Sequence, residues 1–145
     1  MRVPMRIDYG VRALVDLAQH DGDGPVSTAE IAGRQAIPEP FLDQVLATLQ
    51  KLGFVRSRRG PQGGHVLAVV PSEINLGMVI EKLEGMGNSL VCLEVPDGCT
   101  LSSACAQREV WQTVETTVHN VLSATTIADL AVRQQGMATR GAYYI

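Results

Sequence analysis

The sequence predicts a mostly α-helical fold carrying one small β-hairpin. Apolar residues recur at three- and four-residue steps along most of the chain. That period breaks where Phe54-Val55-Arg56-Ser57-Arg58 and Val66-Leu67-Ala68-Val69-Val70 flank a glycine-rich run. With 145 residues, 46% hydrophobic and 19% charged, the chain can build one ordinary globular core.

From Ile7 to Ala18, the residues Val11, Leu14, Val15 and Ala18 mark the buried side of a first helix. His20-Asp21-Gly22-Asp23-Gly24-Pro25 ends it as a loop. Ser27-Thr28-Ala29-Glu30 reads as a capping box, each end satisfying an amide of the other, and opens a short helix to about Gln35. Ala36-Ile37 makes the turn, and Pro38 and Pro40 suit the start of a third helix. Phe41, Leu42, Val45, Leu46, Leu49 and Leu52 give it one apolar stripe, and Gly53 terminates it. The two strands then follow, joined by Gly60-Pro61-Gln62-Gly63-Gly64. Three helices followed by a hairpin are the order of a winged helix, its second and third helices forming a helix-turn-helix.

Beyond the hairpin, residues 74–84 predict an amphipathic helix with Ile74, Met78, Val79 and Leu83 on one side. Residues 85–104 read as an irregular loop. A long helix is expected from about Ala104 to Leu122, with Val110, Val114, Val118 and Val121 on its apolar face and Trp111 alongside. That stripe is too long for the small second half to bury alone, so it predicts a homodimer interface. A last, short helix starts near Thr126, capped by Thr126 and Asp129, and the tail from Gln134 is weakly patterned. The division expected is a DNA-binding region over 1–71 and a region of cysteine loop and dimerisation helices over 72–145.

The net charge of −3 argues against nucleic acid, but its distribution does not. Residues 1–70 carry eight Lys/Arg against seven Asp/Glu, and the acidic excess lies in the second half. Arg56, Arg58 and Arg59 crowd one short stretch, and a local basic patch matters more to phosphate than the total. The third helix offers Glu39, Pro40, Asp43 and Gln44 away from its Leu stripe, together with Thr48. Carboxylates can accept from cytosine and Gln44 can read adenine. The second helix presents Ser27 and Thr28 at its N-terminus. In the wing, Arg58, Arg59, Gly60, Gln62 and Gly63 combine cations with close backbone approach, and arginine suits a narrow A/T-rich minor groove. Alone, the arginines read equally as a charged hairpin edge that discourages strand pairing.

All three cysteines fall within fourteen residues as Cys92-x6-Cys99-x5-Cys105. Packed thiolates repel, so a cluster of them calls for a positive centre. Three suit an iron–sulfur cluster with one ligand from elsewhere, or mixed zinc. No phosphate-binding glycine loop, nucleophile elbow or HExxH is present, so an enzyme is not expected. Neither a secretory leader nor a membrane span is apparent, which predicts a cytoplasmic protein with no membrane partner.

Asp8-Tyr9-Gly10-Val11-Arg12-Ala13-Leu14, the wing Arg58-Arg59-Gly60-Pro61-Gln62-Gly63-Gly64-His65-Val66-Leu67, and the three-cysteine loop followed by Trp111 resemble one family. So do Ile74-Asn75-Leu76-Gly77-Met78-Val79-Ile80 and Thr126-Ile127-Ala128-Asp129-Leu130. It is the family of bacterial winged-helix transcription regulators that includes IscR, NsrR, RirA and CymR, and the resemblance covers about residues 1–133. It implies a dimeric regulator, of repressor type, on a double-stranded DNA operator, sensing redox state, nitric oxide or iron status through an iron–sulfur cluster. A 4Fe–4S cluster is favoured and a 2Fe–2S cluster is the alternative. In the IscR-like branch a His three residues after the last Cys completes the site; that place is Arg108, which cannot ligate. The NsrR-like branch implies Asp8 of the opposite subunit instead. His20, His65 and His119 read as structural or exposed. A cluster-free thiol or zinc regulator of the CymR kind and a winged-helix protein-interaction module remain the alternatives.

Overall fold

The structure, a computed structural model, describes residues 2–85, 87 and 90–142. The loop residues 86, 88 and 89 and the last three of the tail therefore lie outside the described residues. The helices are α1 (Met5–Gln19), α2 (Thr28–Gln35), α3 (Glu39–Lys51), α4 (Leu76–Glu84), α5 (Val91–Glu94), α6 (Ala106–Ala124) and α7 (Ile127–Ala142). Strands β1 (Val55–Arg58) and β2 (Gly64–Leu67) form the antiparallel hairpin between α3 and α4. The mostly helical winged fold is thus the observed one.

Each local signal has a visible partner. The Ser27 N–H donates to Glu30 Oε2 at 2.9 Å, and the Glu30 N–H donates to Ser27 Oγ at 3.2 Å, completing the capping box of α2. Ala36 closes α2 in the left-handed conformation, φ 52°, which is rare for a residue with a Cβ and buys the tight turn into α3. The Thr126–Asp129 pair caps α7 in the same reciprocal way, at 3.0 and 3.1 Å. Asn75 caps α4 by accepting from the Met78 N–H at 2.9 Å.

One buried cluster runs through both halves. Leu14, Ile31, Leu42, Leu46, Leu49 and Phe54 meet Ile74, Val79, Leu83 and Ile127 in it. Helix α7 returns to pack along α1, where Gln19 Nε2 donates to the Ala131 carbonyl at 3.3 Å. A bridge between Asn75 and Thr126 pins the starts of α4 and α7 together. Asp16, fully buried on α1, accepts from Arg34 Nε at 2.9 Å, Arg34 Nη2 at 2.8 Å and Gln35 Nε2 at 3.0 Å, tying α1 to the end of α2.

Four expectations change. Within residues 85–104, read as an irregular loop, Val91–Glu94 form the single helical turn α5. The second strand spans Gly64–Leu67 rather than residues 66–70, paired from Val55↔Leu67 to Arg58↔Gly64. Val69 and Val70 lead instead into Pro71, which lacks an amide for the ladder and starts a 3₁₀ turn. Phe41 leaves the apolar stripe of α3 and is 56% exposed, because at about 100° per residue it sits on the flank of the face that Leu42, Val45, Leu46 and Leu49 bury. Helix α7 is long, not short. Only its first turns bury side chains, Ile127 and Ala131, so the rest carries no stripe to read.

Candidate DNA-reading surface and cysteine loop

Helix α3 turns Leu42, Val45, Leu46 and Leu49 inward. Glu39, Pro40, Phe41, Asp43 and Gln44 are thereby left exposed on the opposite side. Thr48 is half-buried and donates its hydroxyl to the Gln44 carbonyl at 3.0 Å, so that hydrogen is spent within the helix. Exposed Phe41, which the spacing assigned to the core, adds an apolar surface of the kind that meets a thymine methyl.

At the hairpin tip, Arg58, Arg59, Gly60 and Gln62 are exposed and Gly63 is half-buried. The Gly63 N–H donates to the Gly60 carbonyl at 2.9 Å, and Gly60 takes φ 111°. Among the described residues Arg56, Arg58 and Arg59 form no ion pair, so their charge faces outward unneutralised. The wing is anchored at its base. His65 and Val26 exchange both main-chain hydrogen bonds, at 2.9 and 2.7 Å, so β2 sits against the entry to α2. Burial lowers the His65 pKa below its ordinary 6.5, opposed by the nearby Asp43 carboxylate. Ser27 and Thr28 are half-buried at that same entry.

Cys92 lies on α5, half-buried; Cys99 is exposed after a 3₁₀ turn; Cys105 is half-buried at the N-cap of α6. All three thiols are free. Ser102 Oγ and Arg108 Nε, on either side of Cys105, are buried without a hydrogen-bond partner. Such groups cost free energy unless something completes them. Among the described residues no three His, Cys, Asp or Glu side chains converge as a metal site. Three thiols are donors that fit iron or zinc, and the described residues of one chain do not bring them together as a site.

Asp8 stands on α1, with its side chain 40% exposed. Arg12, one turn on, holds it through Nε at 3.0 Å and Nη2 at 2.8 Å. The remaining arm of Arg12, Nη1, donates to the Gln35 carbonyl at the end of α2, 3.1 Å away. His20 is structural, its Nδ1 2.8 Å from the Asp16 carbonyl, and His119 contacts Ser123 Oγ at 3.4 Å. On α6, Val110 and Val121 are each 61% exposed, Val114 is 42% exposed, and Val118 is half-buried. Asp16, Arg12 and Arg34 escaped the sequence reading; the one signal was a lone carboxylate between Val15 and Leu17 on a buried face.

Among the described residues, no helix is long and apolar enough to cross a membrane. Residues 4–133 match the model of the Rrf2 family, described as an iron-dependent transcriptional regulator. The HTH-type transcriptional regulator IscR of Aliivibrio salmonicida is 33% identical over 91% of this chain and 78% of its own. The HTH-type transcriptional regulator CymR of Bacillus subtilis is 33% identical over the whole of both chains. The solved structure of T. potens IscR superposes with a TM-score of 0.75 at 38% identity, covering 92% of this chain and 88% of that one. These relatives are transcriptional regulators, not enzymes, and the chain belongs to the Rrf2 family of transcriptional regulators.

Proposed function

We propose that this chain is one protomer of a cytoplasmic homodimer that reads a double-stranded DNA operator and answers to an iron–sulfur cluster. In this reading residues 1–71 read DNA and residues 72–145 hold the cluster and the twin subunit, although one core serves both. The observation that carries it is the grouping of three free cysteines and two buried, unpartnered polar atoms, Ser102 Oγ and Arg108 Nε, between α5 and the first turn of α6. Cys92, Cys99 and Cys105 would hold the cluster, with the partner's Asp8 as fourth ligand. Three thiolates and one harder carboxylate suit the four corners of 4Fe–4S, with 2Fe–2S the alternative. Bound there, the cluster would supply one iron held by a weak oxygen ligand and so labile toward oxygen or nitric oxide.

The remaining steps belong to the chain's own residues. Both Asp8 oxygens are held by Arg12, so a metal would compete with that pair for the carboxylate. With the pair loosened, Arg12 would keep its bond to the Gln35 carbonyl, at the end of the first helix of the helix-turn-helix, and its place over the Tyr9 ring. That exchange gives α1 two arrangements, each with a different grip on α2, which is the bistable element a switch requires. On DNA, Ser27, Thr28, Glu39, Pro40, Asp43 and Gln44 would meet the major groove and its phosphates. Arg58, Arg59, Gly60, Gln62 and Gly63 would meet the flanking backbone or minor groove.

A second reading, a cluster-free thiol or zinc regulator, is favoured by the full-length match to CymR and by thiols that do not converge. Anaerobic reconstitution separates the two. Wild type should take up iron and sulfide and turn brown, and Cys99→Ala should take up neither; a colourless wild type supports the second reading. Asp8→Ala should keep a cluster with an altered spectrum, and an unchanged spectrum places the fourth ligand elsewhere.

A further inference from the structure

His65 stands where the wing, α2 and α3 meet. Gly64 beside it approaches the entry of α2 so closely that a Cβ would lie 2.5 Å from the Val26 carbonyl oxygen. No other residue fits there. The His65 ring carries the contact further. Its Nε2 lies 2.9 Å from Thr28 Oγ1 and its Nδ1 lies 3.3 Å from Ser57 Oγ. Ser57, on β1, donates to Gln50 Oε1 of α3 at 2.8 Å.

The direction of each bond follows from counting hydrogens. A hydroxyl has one, and that of Ser57 is spent on the Gln50 carbonyl. Ser57 can therefore only accept from His65, so Nδ1 carries the ring hydrogen. In a neutral imidazole Nε2 is then bare, and the Thr28 hydroxyl must donate to it. Desolvation, which lowers the pKa of this ring, favours the neutral form that the counting requires.

We infer that His65 is a positioning residue for DNA recognition. As the Nδ1–H tautomer it holds a one-way chain, Thr28 to His65 to Ser57 to Gln50, that locks the wing to both helices of the helix-turn-helix. The inference rests on the reading of α3 and the wing as the DNA surface. Arg58 and Arg59 follow Ser57 directly, so the ring fixes the strand from which their charges project. Thr28, with its hydroxyl hydrogen committed to His65, cannot donate that hydrogen to a phosphate; its side chain holds the ring, and its contact with a phosphate would be through its main-chain N–H at the start of α2.

Long-range proton–nitrogen correlation spectra of the free protein test the chain without DNA. They should show a protonated Nδ1 and a bare Nε2 at His65. An Nε2–H tautomer, or a ring exchanging between forms, overturns it. Binding to a duplex selected by the wild-type protein from a randomised pool tests the consequence. His65→Leu should weaken it about tenfold, the scale of one lost groove contact, and should abolish most of the further loss caused by Arg59→Ala. His65→Asn, whose amide can still donate to Ser57, should restore most of both. A merely structural role would lower the melting temperature of both variants and leave the Arg59→Ala effect intact, which overturns the inference. Should His65→Leu not fold, Ser57→Ala at the exposed link must erase the Nδ1–H preference, and its persistence counts against the chain. If Arg59→Ala costs wild type nothing while the tautomer is as expected, the DNA reading of the wing fails and the positioning role with it.

Discussion

The helix-turn-helix and the long helix α6 are built from similar apolar steps and end in opposite states. In α1 to α3 the stripes disappear into one core, and the buried carboxylate of Asp16 has three donors from α2. In α6 no residue is buried along nineteen positions, and the valine stripe lies open beside unpartnered Ser102 Oγ and Arg108 Nε. The first region is completed by its own chain. The second is left open in the single chain, and the proposed twin and metal centre are what would complete it. Damage to the first should therefore register in the stability of one chain, and damage to the second in assembly.

The largest effect on stability is expected at the Asp16–Arg34 pair, and it should be unequal. Arg34→Ala leaves a fully buried carboxylate with the Gln35 amide as its remaining hydrogen-bond donor and should cost about 1.5–3 kcal/mol in urea unfolding. Asp16→Ala leaves a guanidinium whose side chain is 38% exposed and can turn to water, so it should cost visibly less. Equal losses would show that the pair is not desolvated as one-sidedly as its burial implies.

Val114→Asp sharpens the comparison from the other side. The valine stripe continues into a cleft of about 360 Å³ lined by Val3, Pro4, Ile7, Ile80, Val114 and Val118. Two facing aspartates in a two-fold interface repel and lose their water, so the dimer should dissociate at least about tenfold more readily, roughly 1.4 kcal/mol. The unfolding free energy of the monomer should move by less than about 0.5 kcal/mol, as for an ordinary surface change. Light scattering and dilute-protein unfolding read the two quantities separately. A wild type that is monomeric at micromolar concentration would remove the dimer from the proposal.

What was legible in the sequence follows the same division. Signals closed within four residues were read correctly: the Ser27–Glu30 and Thr126–Asp129 boxes, the Pro38 start of α3, the glycine-rich hairpin tip. Features set by distant chain were not. The partner of Asp16 lies eighteen residues away, and nothing near it in sequence announces an arginine. The start of β2 at Gly64 depends on the approach of Val26, thirty-eight residues earlier, which no local pattern encodes. Phe41 satisfied the four-residue spacing to Val45 and still faces solvent, because it lies at the edge of the stripe and spacing does not say how wide a face the core covers. For the cysteine loop, spacing and residue type identified candidate ligands. Their convergence cannot be read from one chain if a ligand belongs to its twin.

The two capping boxes give the smallest and most direct test, since the same device occurs once in each region. In both, an amide hydrogen bond from the cap residue, Ser27 or Thr126, is the main cause that lowers the pKa of the acidic partner, Glu30 or Asp129. A carboxylate held lower in the folded than in the unfolded chain stabilises the fold above its unfolded pKa. That contribution fades as pH falls through the usual value, 4.5 for Glu30 and 3.8 for Asp129, toward the lowered one. Ser27→Ala should cost about 1 kcal/mol at neutral pH, while the acid limb should lose only the smaller part that comes from the Ser27 hydroxyl, because alanine keeps the amide that chiefly lowers the Glu30 pKa. Thr126→Ala should do the same in the isolated chain. The box at Ser27 sits in the region that is complete by itself, so its effect should not depend on protein concentration. The box at Thr126 opens the helix directly after α6, whose valine stripe is open in the single chain. If a second subunit covers that stripe, dimer formation supports the α6–α7 junction, and the cost of Thr126→Ala should shrink as protein concentration rises. Unfolding curves of both variants at low and high concentration decide it. Concentration dependence in both, or in neither, would mean that the two regions are not completed in the different ways that their burial suggests.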